Sequence, residues 1–116
     1  MSVQIPKKRF SELIGEDYLE IVRFPQVVLH PYRLVLLKIL AGHGPVDFRE
    51  LRQSLGIKED GTLASHLRIL EAHGYVSYEK EFVGRRPRTT YAITPKGLKE
   101  FLRLEKALGK WLQHGQ

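Results

Sequence analysis

Two groups of side chains in this chain could bond a polyanion. Thr62, Ser65, His66 and Arg68 lie on one face of a helix expected from about Gly61 to His73, with Leu63, Leu67 and Leu70 on the other. Hydroxyl and imidazole groups can bond base edges or phosphates, and an arginine can pair bidentately with guanine. The second group is the stretch Val83-Gly84-Arg85-Arg86-Pro87-Arg88. Arg85, Arg86 and Arg88 repel one another at this spacing, and a phosphate backbone or a narrow minor groove relieves that directly. Pro87 stiffens the segment and lowers the entropy cost of ordering it. Lys80 and Thr89 flank it as further candidates. Each group alone would pass for a solvated face or a charged turn, and it is their adjacency that points to duplex DNA. Arg49, Arg52 and Lys58 could position the unit on phosphates, but they read as plain surface.

Other chemistry finds little support. His66 and His73, seven positions apart on a helix, are separated by about 10 Å along its axis, too far for one ion. No metal and no cofactor are expected. There is no Gly-rich phosphate loop, nucleophile elbow, paired-acid signature or His-Glu metalloprotease spacing, so an enzyme is not expected. The absence of cysteine removes disulfides, cysteine zinc sites and thiol sensing together. The net charge of +6 favours a polyanion, either nucleic acid or an anionic membrane surface. No apolar run approaches the roughly 18 residues that would span a bilayer. The basic Lys7-Lys8-Arg9 is followed by Glu12, Glu16 and Asp17, which interrupt any signal-peptide core. The expectation is a cytoplasmic protein without a membrane partner, and 116 residues fit a single domain over 1–116.

These groups must be held by a scaffold, and the apolar pattern supplies one. Phe10, Leu13, Ile14, Tyr18, Ile21 and Val22 form one stripe, predicting an N-terminal helix over 10–24 that Pro25 ends. A core helix, apolar nearly all round, opens at Pro31 and stops at Ala41-Gly42-His43-Gly44-Pro45. Val46 begins a brief strand. Asp47-Phe48-Arg49-Glu50 has the form of a capping box, opening a helix that ends at Gly56. After a turn comes the helix at 61–73, ended by Gly74. Tyr75 to Phe82 alternates, and Arg88 to Thr94 is rich in Thr, Tyr and Ile, so both read as strands of a hairpin turning at Gly84. Thr94-Pro95 caps a final helix over 95–113. There, Leu98, Phe101 and Leu102 would close the core and Leu104, Leu108, Trp111 and Leu112 would face elsewhere. The fold class is α+β, mostly α, with a helix-turn-helix, a two-stranded hairpin and extra helices at both ends.

This order, with Leu29-His30-Pro31-Tyr32-Arg33-Leu34, Phe48-Arg49-Glu50-Leu51, Leu63-Ala64-Ser65-His66-Leu67-Arg68-Ile69-Leu70-Glu71, Gly74-Tyr75-Val76, Gly84-Arg85-Arg86-Pro87-Arg88-Thr89-Thr90-Tyr91 and Thr94-Pro95-Lys96-Gly97, resembles winged-helix transcriptional regulators of the ArsR and MarR groups. The small archaeal and bacterial members are the nearest in look. The resemblance spans roughly residues 29–100. It implies a homodimer on a near-palindromic operator, with helix 61–73 in the major groove, the wing 83–88 on backbone or minor groove, and Ser65 and His66 as the groove-facing pair. Unlike metal sensors of the ArsR type, the chain has no cysteine ligands. Phe10, Leu13, Ile14, Tyr18, Leu104, Leu108, Trp111 and Leu112 are the expected dimer surface, against the simpler arrangement in which the terminal helices pack within one subunit. The alternative function is a winged helix that binds protein within a transcription complex, and single-stranded or RNA binding is a third. Any small-molecule effector is unmarked in the sequence.

Overall fold

The computed structural model describes residues 9–113. Of the N-terminal basic run, Lys7 and Lys8 lie outside the described residues. By their contacts, Pro25–Leu102 form one compact unit, and the segments before Pro25 and after Leu102 form another.

The larger unit holds α3 (Gln26–Leu29), α4 (Pro31–His43), β1 (Val46–Asp47), α5 (Phe48–Leu55), α6 (Asp60–Ala72), β2 (Val76–Val83) and β3 (Arg86–Ile93), followed by the first turns of α7 (Pro95–Leu112). Pro31 occupies the first turn of α4, and the His30 ring accepts from the Tyr32 amide at 3.2 Å. Asp47 caps α5, accepting the Glu50 amide at 2.8 Å. Both helices of the helix-turn-helix end alike. The Gly56 and Gly74 amides return to Gln53 and Glu71, and the Ile57 and Tyr75 amides to Arg52 and Leu70. This paired pattern is the Schellman motif, and it needs a left-handed residue, which Gly56 (φ 64°) and Gly74 (φ 76°) supply. The residues that follow, Ile57 and Tyr75, are buried. Two local signals thus set the length and the entry angle of α6.

Leu36, Leu37, Leu40, Leu51, Leu63, Leu67 and Leu70 are fully enclosed, and no polar side chain is buried with them among the described residues. The sheet order is β1-β3-β2, all antiparallel. A two-residue turn, Gly84-Arg85, joins β2 to β3, with Val83 paired to Arg86. Gly84 alone takes positive φ there (67°), the sign pattern of a type II′ turn that matches strand twist. The tip is therefore tighter than the 83–88 loop expected from composition, and Arg86 to Arg88 belong to a strand. At the other end of β3, the Thr94 hydroxyl donates to the Gly74 carbonyl at 2.6 Å and accepts the Gly97 amide at 2.9 Å. Lys96 Nζ donates to the His73 carbonyl at 2.9 Å. These bonds tie the end of α6 to the start of α7.

The second unit holds α1 (Phe10–Ile14), α2 (Tyr18–Val22) and the remainder of α7. The expected single helix over 10–24 is broken. Gly15 takes positive φ (57°) with ψ −167°, which no helix accommodates. Within this unit Arg103 stacks over the Phe24 ring at 4.0 Å, and Lys110 pairs with Asp17 at 3.2 Å. The division expected along the last helix holds for Phe101 and Leu112 and fails for Leu98, Leu102 and Leu104. Phe101 and Leu104 are buried, whereas Leu98 and Leu102 are 37% and 50% exposed. Gly97, Phe101, Leu104 and Ala107, the buried positions, follow the three-four spacing of one inward stripe, and 98 and 102 lie off it. Leu104, at 0% exposure, is core rather than dimer surface.

Candidate nucleic-acid interface

The outward face of α6 presents Gly61, Ser65, Arg68 and Ala72, all exposed, with Thr62 and Ala64 half-exposed at its margins. Small residues keep this face slim, as entry to a major groove requires. Ser65 and Arg68 are presented as expected. His66 is turned toward the flank. Its ring lies 4.5 Å from that of His30 and 5.4 Å from that of Tyr32, and Arg33 Nη1 is 3.2 Å from its Nδ1. A guanidinium only donates, so Nδ1 accepts and the imidazole proton sits on Nε2. Burial first, then the charges of His30 and Arg33, hold its pKa below the ordinary 6.5. Arg33 is itself fixed by donating to the Val27 carbonyl at 2.7 Å. His66 is thus anchored to α4 rather than standing free beside Ser65.

The strand register sorts the wing. Lys80 pairs with Thr89, Tyr78 with Tyr91 and Phe82 with Pro87, so these share one side of the ribbon. Glu81 pairs with Arg88 and Val83 with Arg86, on the other side. The expected wing residues therefore divide between two surfaces. Lys80 Nζ sits 5.7 Å above the Tyr78 ring. Burial first, then the electrostatic influence of Glu71 and Tyr78, raises the Tyr91 pKa, and Arg68 opposes them.

Arg88 is not a free cation. Its Nε lies 3.6 Å from Asp47 and 4.0 Å from Glu81. Arg85 and Arg86 are exposed, and neither forms an ion pair among the described residues. Arg52, which composition left as plain surface, pairs with Asp60 at 3.0 Å and braces the turn into α6. A groove of about 630 Å³ runs between α5 and β3, where Arg49, Arg86 and Arg88 meet Asp47 and Glu50. Its charged lining suits a solvated trough better than an apolar small-molecule pocket. Among the described residues, no three acidic or histidine side chains gather as metal ligands, and no helix is long and apolar enough to cross a membrane.

The sequence reading missed three things: the His30–Tyr32–His66 cluster, the double duty of Asp47 as cap and as Arg88 partner, and the exposure of Phe82. The last was accessible, because strand alternation with a two-residue turn already places Phe82 opposite Pro87 near the tip.

Residues 32–112 match the family described as Winged helix DNA-binding domain. The chain is 35% identical over 65 residues to an HTH-type transcriptional regulator of Halalkalibacterium halodurans, covering 56% of this chain and 57% of that protein. The matched stretch thus spans little more than half the length of that relative. The fold is similar to a transcriptional regulator homologue from Pyrococcus horikoshii, with TM-score 0.73 and 30% identity over 82% of this chain and 92% of that one. It is also similar to a MarR-family regulator from Enterococcus faecalis, with TM-score 0.65 and 25% identity over 84% of each chain. Together with the helix-turn-helix and wing described above, these matches show that the chain belongs to the winged-helix DNA-binding family of transcriptional regulators, a family of regulators and not of enzymes.

Proposed function

We propose that this protein is a sequence-specific regulator that binds duplex DNA as a homodimer, with α6 in the major groove and the wing on the flanking backbone or minor groove. The observation that carries this reading is the pairing of a slim outward face on α6, bearing Ser65 and Arg68, with the exposed cations Arg85 and Arg86 on the adjacent hairpin. Ser65 and Arg68 read base edges, while Thr62 and His66 border the contact. Lys80, Arg85, Arg86 and Thr89 hold phosphates. Arg88, balanced by Asp47 and Glu81, adds least. The dimer reading is supported by apolar surface on the terminal segments. Phe10, Leu13, Ile14, Tyr18 and Leu112 are 80%, 45%, 38%, 39% and 62% exposed. Leu108 and Trp111 are half-buried, and the Trp111 indole Nε1 is enclosed without an acceptor among the described residues. Such a regulator would act in the cytoplasm, where duplex DNA is available.

The test is binding of the purified protein to random and genomic duplexes across a salt series. Salt-dependent binding that enriches one near-palindromic sequence supports the proposal. Failure to bind any duplex at low salt removes it.

A further inference from the structure

At the far end of the wing, Phe82 is 74% exposed and Val83 56% exposed. Phe82 stands opposite Pro87, one pair before the Val83–Arg86 pair that closes the turn. The fold does not use them, since Val76 is the only buried residue of β2. Leaving a phenylalanine in water forgoes about 1.5–3 kcal/mol of burial, so Phe82 makes sense against a partner. The surroundings restrict which partner. Lys80 lies on the same side of the ribbon as Phe82 and Pro87, Arg85 sits in the turn beyond them, and Arg86 lies with Val83 on the other side. The carboxylates of β2, Glu79 and Glu81, lie away from Phe82, on the side of Val83 and Arg86, where Glu81 approaches Arg88. An apolar point among cations complements a DNA minor groove, which has phosphate rims around sugar and base walls. Phenylalanine and proline are among the side chains that can part a base step there.

We propose that Phe82, backed by Pro87, is a wedge that the wing inserts into the minor groove, partly unstacking one base step and bending the duplex, while Lys80, Arg85 and Arg86 hold the flanking phosphates. The proposal rests on the DNA-binding reading above and adds a second source of specificity to it. Unstacking costs least at flexible pyrimidine–purine steps such as TpA, so the wing would favour sites placing such a step beneath it, without any hydrogen bond to a base.

The experiment uses the full chain and duplexes of roughly 40 base pairs, well below the persistence length of DNA. They carry dyes at both ends and 2-aminopurine at successive TpA steps. Wild-type protein should bring the ends closer and brighten 2-aminopurine at one step. Phe82→Ala should bind with less than about a tenfold loss of affinity, yet lose both signals. Phe82→Leu should retain part of each. Arg85→Ala/Arg86→Ala should weaken binding, yet at saturating protein still bend the duplex. Phe82 packs on no core element, so circular dichroism of its variants should match wild type. A full bend with Phe82→Ala, or wild-type binding without bend or brightening, would overturn the wedge and leave DNA binding intact. No wild-type binding to any duplex would overturn both.

Discussion

Arg88 sits between two carboxylates, Asp47 at 3.6 Å and Glu81 at 4.0 Å, whereas Arg85 and Arg86 form no ion pair among the described residues. A phosphate that recruits Arg88 must compete with charges already in place. One that recruits Arg85 or Arg86 relieves their mutual repulsion. Replacing Arg85 and Arg86 together by Ala should therefore lower the slope of log affinity against log salt by about one unit per lost phosphate contact. Arg88→Ala should change it by much less. Equal slopes for the two variants would mean that the acids do not hold Arg88 back. His66 makes a second prediction at this scale. Its pKa is lowered in the folded chain by burial and by the neighbouring His30 and Arg33, so the unfolded chain binds the proton more readily. The stability it contributes is fully present above the ordinary value of 6.5 and is lost as pH falls from there through the lowered value. Protonation at Nδ1 would also turn the site that accepts from Arg33 into a donor facing a donor. Denaturant titrations at a series of pH values should show stability falling on the acid side of 6.5, and His66→Gln should flatten that fall. An unchanged pH profile in the variant would assign the dependence elsewhere.

At the scale of elements, signals local in sequence were legible and those set through space were not. The Asp47 cap and Gly56 fixed both ends of α5, because each acts on backbone groups within a few residues. Leu63, Leu67 and Leu70 marked the inner face of α6 for the same reason. The N-terminal stripe misled because apolar spacing does not register the left-handed Gly15 that divides it. The last helix misled because apolar residues occupy more than one of its faces, and only packing selects the stripe through Phe101 and Leu104. The wing arginines could not be sorted until the turn length set the register. The His66 partners come from positions 30, 32 and 33, brought alongside by tertiary structure alone. One element contact invites a direct test. Gly97, in the first turn of α7, lies so close beneath the Tyr75 carbonyl that an added Cβ would collide with that backbone. On an exposed helix alanine gains up to about 1 kcal/mol over glycine. Here the clash should dominate, and Gly97→Ala should destabilise by about 1–3 kcal/mol in chemical denaturation. A stabilised variant would show that the α6–β2 corner yields to α7.

For the whole molecule, two leucines of one helix separate folding from assembly. Leu104 is fully enclosed within the single chain, and Leu112 is 62% exposed, in the same compact unit as the exposed Phe10, Leu13 and Ile14. If those exposed residues join two copies, the native state is stabilised by mass action and the melting temperature rises with protein concentration. Leu104→Ala should cost about 2–5 kcal/mol at any concentration, because it opens a cavity inside each copy. Phe10→Glu and Leu112→Glu should leave the isolated chain nearly as stable, because each side chain already meets water. They should halve the mass measured by light scattering and remove the concentration dependence of melting. The same variants should also alter DNA binding. Two copies related by a two-fold axis read half-sites about 10 base pairs apart, so losing the dimer should abolish the preference for a palindrome while retaining weaker, salt-dependent binding to any duplex. A Phe10→Glu/Leu112→Glu protein that keeps the doubled mass and the palindrome preference would place the two-fold contact on another surface.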